Sequence, residues 1–243
     1  ARVIMWNFPV DFFKCFDESY IFTYLWEGSI QKSYFDIHGI KYEKYMLDYD
    51  RQLIPHCKEI EYEKRRNVAD LINIYDGKFN KIGMKIGKSN PLSKSWYEDK
   101  RKKNRSIFSQ LKNNTENYFR TVTKTKSIDN MYTVFKPYCK YVKGKGFANG
   151  FVSCNARGTN EFKNKKSLAY LINFFMSPDI KQFVEHYHIE FDDNLFSLSA
   201  LLQWIWRSQI RDGNPIDLYI PSERMRELLK IWINECKTMS EAA

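Results

Sequence analysis

Three polar side chains near the end of the chain, Gln203, Arg207 and Arg211, recur every four residues among Leu201, Leu202, Ile205 and Trp206. On a helix that spacing gathers them into one stripe, while the apolar residues cover much of the remaining surface. Guanidiniums on a core-building helix are costly to bury, so the stripe must face an anion, a carboxylate such as Asp212 or Asp217, or water. The turn Asp212-Gly213-Asn214-Pro215 follows, then an apolar run at 216–220 with the composition of a strand.

Other chemistries are weaker. The segment Gly83-Met84-Lys85-Ile86-Gly87-Lys88-Ser89 approaches a phosphate-binding loop but is one residue short of G-x-x-x-x-G-K-[ST], and Asn90-Pro91 stands where a helix would have to start. It reads as a Lys- and Gly-rich loop. The five cysteines, Cys15, Cys57, Cys139, Cys154 and Cys236, are scattered, without a Cys-x-x-Cys pair. His186 and His188 form an isolated pair, so no metal site is expected. Asp192-Asp193 and Glu59, Glu61 and Glu63 have the spacing of solvated faces rather than of an acid–base pair, and no hydrolase emerges from these residues alone.

The whole chain narrows the partner. Its 243 residues carry 39 Lys and Arg against 29 Asp and Glu, a net charge of +10, with 16% aromatic residues. That balance suits a folded protein with a polyanionic partner, nucleic acid before an anionic membrane surface. The unpaired cysteine pattern fits reduced thiols in a cytoplasm. Neither a secretory leader nor an apolar run of membrane-spanning length is visible.

The elements that must position these residues can be taken in order. Residues 1–18 form an entry segment. An aromatic and β-branched run at 20–26 predicts a buried strand, residues 30–38 a helix closed by Gly39, and residues 41–47 a second strand. Strand, helix and strand make a βαβ unit and imply a parallel sheet. Residues 50–145 change composition to Lys, Arg and Asn with scattered apolar groups, and read as a basic, largely helical insertion that includes an amphipathic helix over 106–122. Strands are expected at 150–154 and 166–175, although a helix fits the latter almost as well, and helices at 178–187 and 224–236.

In order, the run YIFTYLW at 20–26, the segment GFVSCNARGTNEF at 150–162 and LLQWIWRSQIRDGNPIDLYIP at 201–221 resemble motifs IV, V and VI in the C-terminal RecA-like lobe of superfamily 2 (DEAD/DEAH-type) helicases, of the kind carried by phages and mobile elements. Ala156-Arg157-Gly158-Thr159-Asn160 is similar to the A-R-G-x-D core of motif V, and Gln203 with Arg207 to the start of motif VI. The resemblance covers roughly 19–49 and 147–233. There are departures: Trp206 stands where the family usually has Gly, Arg211 comes one residue late, and Asn160 replaces a carboxylate.

The resemblance implies an α/β fold, a RecA-like mostly parallel sheet flanked by helices, with the lobe formed by 19–49 and 146–243 around the basic insertion 50–145. It implies the second motor lobe of an ATP-dependent helicase or translocase. Arg211 would be the arginine finger, Arg207 a phosphate or inter-lobe ligand, and Gln203 their orienting partner. ATP and Mg²⁺ would be held in the complete enzyme by an N-terminal RecA-like lobe, in the same or another chain, and not by this chain alone. DNA or RNA would meet Thr23, Asn155, Arg157, Gly158, Thr159 and Asn160, with Gly158 permitting positive φ or close backbone approach. The departures support a second expectation, a non-enzymatic nucleic-acid-binding adaptor built on a degenerate lobe.

Overall fold

Four short strands stand side by side in one parallel sheet, and two of them lie where the sequence predicts only loops and helices. The computed structural model describes residues 8–156 and 159–238. Along the chain the elements are α1 (Ile30–Ile37), β1 (Tyr45–Leu47), β2 (Leu53–Pro55), α2 (Lys58–Ala69), β3 (Ile72–Ile74), α3 (Lys94–Lys103) and α4 (Ser106–Asn117). There follow β4 (Asn130–Thr133), α5 (Cys139–Val142), β5 (Ser167–Tyr170), α6 (Pro178–His186), α7 (Asp193–Ile205), β6 (Ile216–Tyr219) and α8 (Glu223–Thr238). The chain divides into a smaller unit, residues 1–43 and 175–199, and a larger one, residues 44–174 and 200–243.

The larger unit is α/β, with strand order β3-β6-β5-β4. Every pairing is parallel, with Ile72 opposite Ile216, Ser167 opposite Asp217 and Asn130 opposite Ser167. Phe151 extends the β4 edge by a parallel bridge to Tyr132. All residues of β4 and β5 are buried, as they must be in a parallel sheet covered on both faces. On one face Tyr132, Ala169, Leu171 and Tyr219 pack with Tyr97, Phe108, Leu111 and Tyr118 from α3, α4 and the turn that continues α4. Strand side chains alternate, so Leu168, Tyr170, Leu218 and Ile220 turn to the other face, where Trp204 meets Tyr170 edge-on at 5.3 Å between ring centroids.

The span 50–145 is therefore not an insertion: it supplies β3, β4 and the helices α3 and α4 that cover one face of the sheet. Its apolar groups are short because these strands are only three and four residues long. Likewise β1 is not the second strand of a βαβ unit; it pairs antiparallel with β2 in a hairpin.

In the smaller unit, Ser29 caps α1 by accepting the Lys32 N–H at 3.1 Å, and Gly39, at φ 61°, ends it in the left-handed conformation. Residues 20–26 form no strand. Tyr20 and Phe22 are 62% and 84% exposed, and Leu25 has φ 54° at the start of a 3-10 turn over Trp26–Gly28. Gly28 allows that turn to close on α7, since a Cβ there would stand 2.7 Å from the Leu195 carbonyl carbon. Among the described residues no helix is long and apolar enough to cross a membrane.

Candidate functional site

Crossovers between parallel strands are right-handed, so the direction of each step across the sheet decides the face on which its connection lies. The β3-to-β4 step runs one way and carries α3 and α4; the β5-to-β6 step runs back and must use the opposite face. The chains leaving β3 and β5 at their carboxyl ends thus part to opposite faces and leave a crevice at the β6 exit between them. That is the general position of ligand sites in open α/β sheets.

The crevice is a cavity of about 130 Å³ lined by Gly83, Lys85, Asn90, Pro91, Asn173, Glu223 and Arg224. Its floor comes from the β6 exit: a Cβ on Gly83 would stand 2.1 Å from the Pro221 carbonyl oxygen, so only glycine lets the β3 loop lie this close. Lys85 donates its backbone N–H to Glu223 Oε2 at 2.7 Å, which ties the loop to the first turn of α8. Arg224 Nη1 donates to the Phe174 carbonyl at 2.7 Å and to Asn173 Oδ1 at 3.3 Å, fixing the guanidinium beside the β5 exit. Asn173, itself buried, donates its N–H to the Leu92 carbonyl at 2.8 Å. Leu92 is fully buried at φ 65°, a conformation that a leucine holds only where packing imposes it.

Around this crevice Lys81, Lys85, Lys88 and Lys94 are exposed. The Gly83–Ser89 stretch therefore sits at the edge where a phosphate-binding loop would sit, although a 3-10 turn over Lys78–Gly83 separates it from β3. Tyr97 anchors the helix that follows by donating its hydroxyl to the Leu171 carbonyl at 2.7 Å, and burial pushes that hydroxyl's pKa well up. Sequence reasoning set this region aside on its spacing and on the Asn90-Pro91 that follows it. The signal that would have kept it was strand order, which the sequence does not display.

The motif VI-like residues lie elsewhere. α7 ends at Ile205, so only Gln203 is on it. The Arg207 and Ser208 N–H groups bond three residues back, to Trp204 and Ile205, and Ser208 Oγ donates to the Ile205 carbonyl at 2.7 Å, which closes the helix. Arg207 is half-buried, and its Nε has no hydrogen-bond partner among the described residues. Arg211 lies in the 3-10 turn Gln209–Asp212, and its Nη1 donates to Asn160 Oδ1 at 2.7 Å. The expected single stripe is thus broken at Ser208.

Arg211 precedes β6 and Asn160 precedes β5, so this pair stands at the amino ends of the strands and not at the carboxyl edge. Thr159 Oγ1 accepts the Glu161 N–H, and Asn155 Oδ1 accepts from Ser153 Oγ, both local turn bonds. Nearby, burial lowers the Lys165 pKa, with Asp129 opposing, while its Nζ donates to the Ile128 carbonyl at 2.6 Å. Thr23 is exposed in the smaller unit. Arg157 and Gly158 lie outside the described residues. No group of three or more His, Cys, Asp and Glu side chains among the described residues could hold a metal ion.

A family model described as the YonV C-terminal Rossmann-like domain matches residues 66–233, a span that opens just before β3 and closes within α8. Over 234 residues the chain is 41% identical to the SPbeta prophage-derived uncharacterized protein YonV of Bacillus subtilis (strain 168), across 95% of this chain and 55% of that one. The chain thus spans about half the length of the curated relative it matches. No solved structure matches it.

Proposed function

The chain belongs to the YonV C-terminal Rossmann-like domain family, and from that fold and its charge we propose that the larger unit binds the sugar–phosphate backbone of nucleic acid along its carboxyl edge. The observation that carries this reading is the partition of charge. Residues 44–174 and 200–243 hold 34 Lys and Arg against 18 Asp and Glu, a net +16, more than the +10 of the whole chain. Exposed lysines from one loop, with Arg224 behind them, offer a series of point charges to successive phosphates. Backbone contacts of this kind give affinity without sequence preference. The test is anisotropy of labelled single- and double-stranded oligonucleotides across a salt series. Each phosphate contact contributes about 0.9 to the log–log slope on duplex and about 0.7 on single strands, so Lys85→Ala with Lys88→Ala should lower the slope by about one to two. An unchanged slope, or no binding at low salt, would count against the reading.

One observation favours a second reading, the motor lobe of a helicase: the Arg211–Asn160 hydrogen bond joins the two segments that resemble motifs V and VI. On that reading ATP is held by another lobe, and Arg211 acts across a gap toward its phosphates. Nucleic-acid-stimulated ATP hydrolysis by the full-length Bacillus subtilis relative, measured directly, would support it, and a strict absence would remove it.

A further inference from the structure

The smaller unit is the electrostatic opposite of the larger one. Residues 1–43 and 175–199 hold 5 Lys and Arg against 11 Asp and Glu, a net −6 in a chain of net +10. The same unit exposes large apolar side chains: Phe12 is 45% exposed, Phe16 50%, Ile21 43% and Phe22 84%. Phe12 and Phe16 meet edge-to-face at 5.0 Å between centroids, so these two rings form a shared surface. Exposed rings can stack on bases, but such platforms sit in positively charged grooves. Here the flanking residues are Asp17, Glu18 and an Asp11 paired with Lys14 at 2.7 Å, a net negative set that repels a polyanion. An acidic surface with apolar rings fits a protein face that is basic and partly apolar.

The chain carries such a face itself. In the larger unit, Met84 and Ile86 are 45% and 78% exposed between Lys81, Lys85 and Lys88. We infer that the acidic aromatic face around Phe12 and Phe16 docks on the basic Lys81–Lys88 face of a second copy of this chain. Two different faces meet in this contact, so it is heterologous, and copies add head to tail instead of closing as a twofold dimer. The inference rests on charge and exposure, and holds whether or not the lysine loop also binds nucleic acid.

Sedimentation velocity tests it. Wild-type protein should exceed its 29.2 kDa chain mass as concentration rises at low salt, and return to that mass at high salt. Phe12→Ser with Phe16→Ser should weaken association about tenfold or more, as should Asp17→Lys with Glu18→Lys and, on the other face, Lys85→Glu with Lys88→Glu. The serine and glutamate variants, each defective alone, should form a dimer when mixed, because one intact pair of faces remains. A protein that stays at 29.2 kDa under every condition overturns the inference and leaves the face to a different basic protein. Association unmoved by both small-unit variants, or no dimer in the mixture, overturns it as well.

Discussion

Gly83 and the Pro221 carbonyl lie so close that a Cβ on residue 83 would stand 2.1 Å from the oxygen and 2.4 Å from the carbonyl carbon. The obstacle is backbone at the exit of β6, which cannot rotate away as a side chain would. Gly83→Ala should therefore cost about 1–3 kcal/mol in denaturant unfolding. It should also displace the Lys85 loop from Glu223 and weaken any nucleic-acid binding beyond the loss of stability. A variant as stable as wild type would mean that the two loops are free to separate.

Tyr97 is fully buried, and its hydroxyl bond to the Leu171 carbonyl reaches from α3 to the exit of β5. Tyr97→Phe leaves a buried carbonyl without that donor and should cost about 1–2 kcal/mol. Trp204 makes a comparable bond, Nε1 to the Val152 carbonyl at 3.1 Å, while Trp206, 44% exposed, faces outward. Trp204→Phe should destabilise by about 2–3 kcal/mol, losing volume and a donor together. Trp206→Phe should stay within about 0.5 kcal/mol, as exposed positions usually do. Chemical denaturation of the three variants separates the cases.

How far the sequence could be read follows from where its signals are local. The run that holds β5 fits a helix almost as well as a strand, while the helix over Ile30–Ile37 with its Gly39 stop, the apolar run of β6 and the amphipathic α8 declare themselves through composition, periodicity or a terminal glycine. β3 and β4 do not. Ile-Asn-Ile and Asn-Met-Tyr-Thr are short and contain asparagine, and only their parallel partners identify them as the outer strands of the sheet. The converse failure is Tyr20 to Trp26, whose aromatic content suits a strand but whose Tyr20 and Phe22 rings stay exposed while Trp26 packs edge-on against Phe35 within the smaller unit. At the site, residue types were legible and position was not. Whether a loop lies at the amino or the carboxyl end of a sheet depends on strand order, which is set by pairings far apart in sequence. The Gln203 stripe failed for a local reason, the helix-closing bond from Ser208.

Burial pushes the hydroxyls of Tyr97, Tyr118, Tyr170 and Tyr219 above their ordinary range, Tyr97 and Tyr219 while donating to carbonyls. The folded chain thus keeps protons that the unfolded chain releases near pH 10. More protons bound when folded means that stability is fully present below about pH 10 and falls as pH rises beyond it. The denaturant midpoint should decline on the alkaline side, and tyrosinate absorbance should rise in two stages, exposed residues first and the buried ones with unfolding. A single smooth titration of all 16 tyrosines without loss of structure would contradict the burial of these rings.

The two edges of the sheet can be told apart by paired substitutions. Arg211 and Asn160 are both exposed, so Arg211→Ala and Asn160→Ala should each change stability by no more than about 0.5 kcal/mol. Loss of function in either would then report a role in binding and not in folding. If nucleic acid lies on the carboxyl edge, Lys85→Ala with Lys88→Ala lowers both affinity and salt slope, and Arg211→Ala leaves both nearly unchanged. If the amino edge carries the contact, the pattern reverses. Because the Asn160 side-chain oxygen Oδ1 accepts from the Arg211 guanidinium and holds it in place, Asn160→Ala should then weaken binding through a lost orientation, with Arg211 still charged. The salt slope would then stay at the wild-type value while affinity falls, whereas Arg211→Ala, which deletes the charge, would lower it by about 0.9 on duplex.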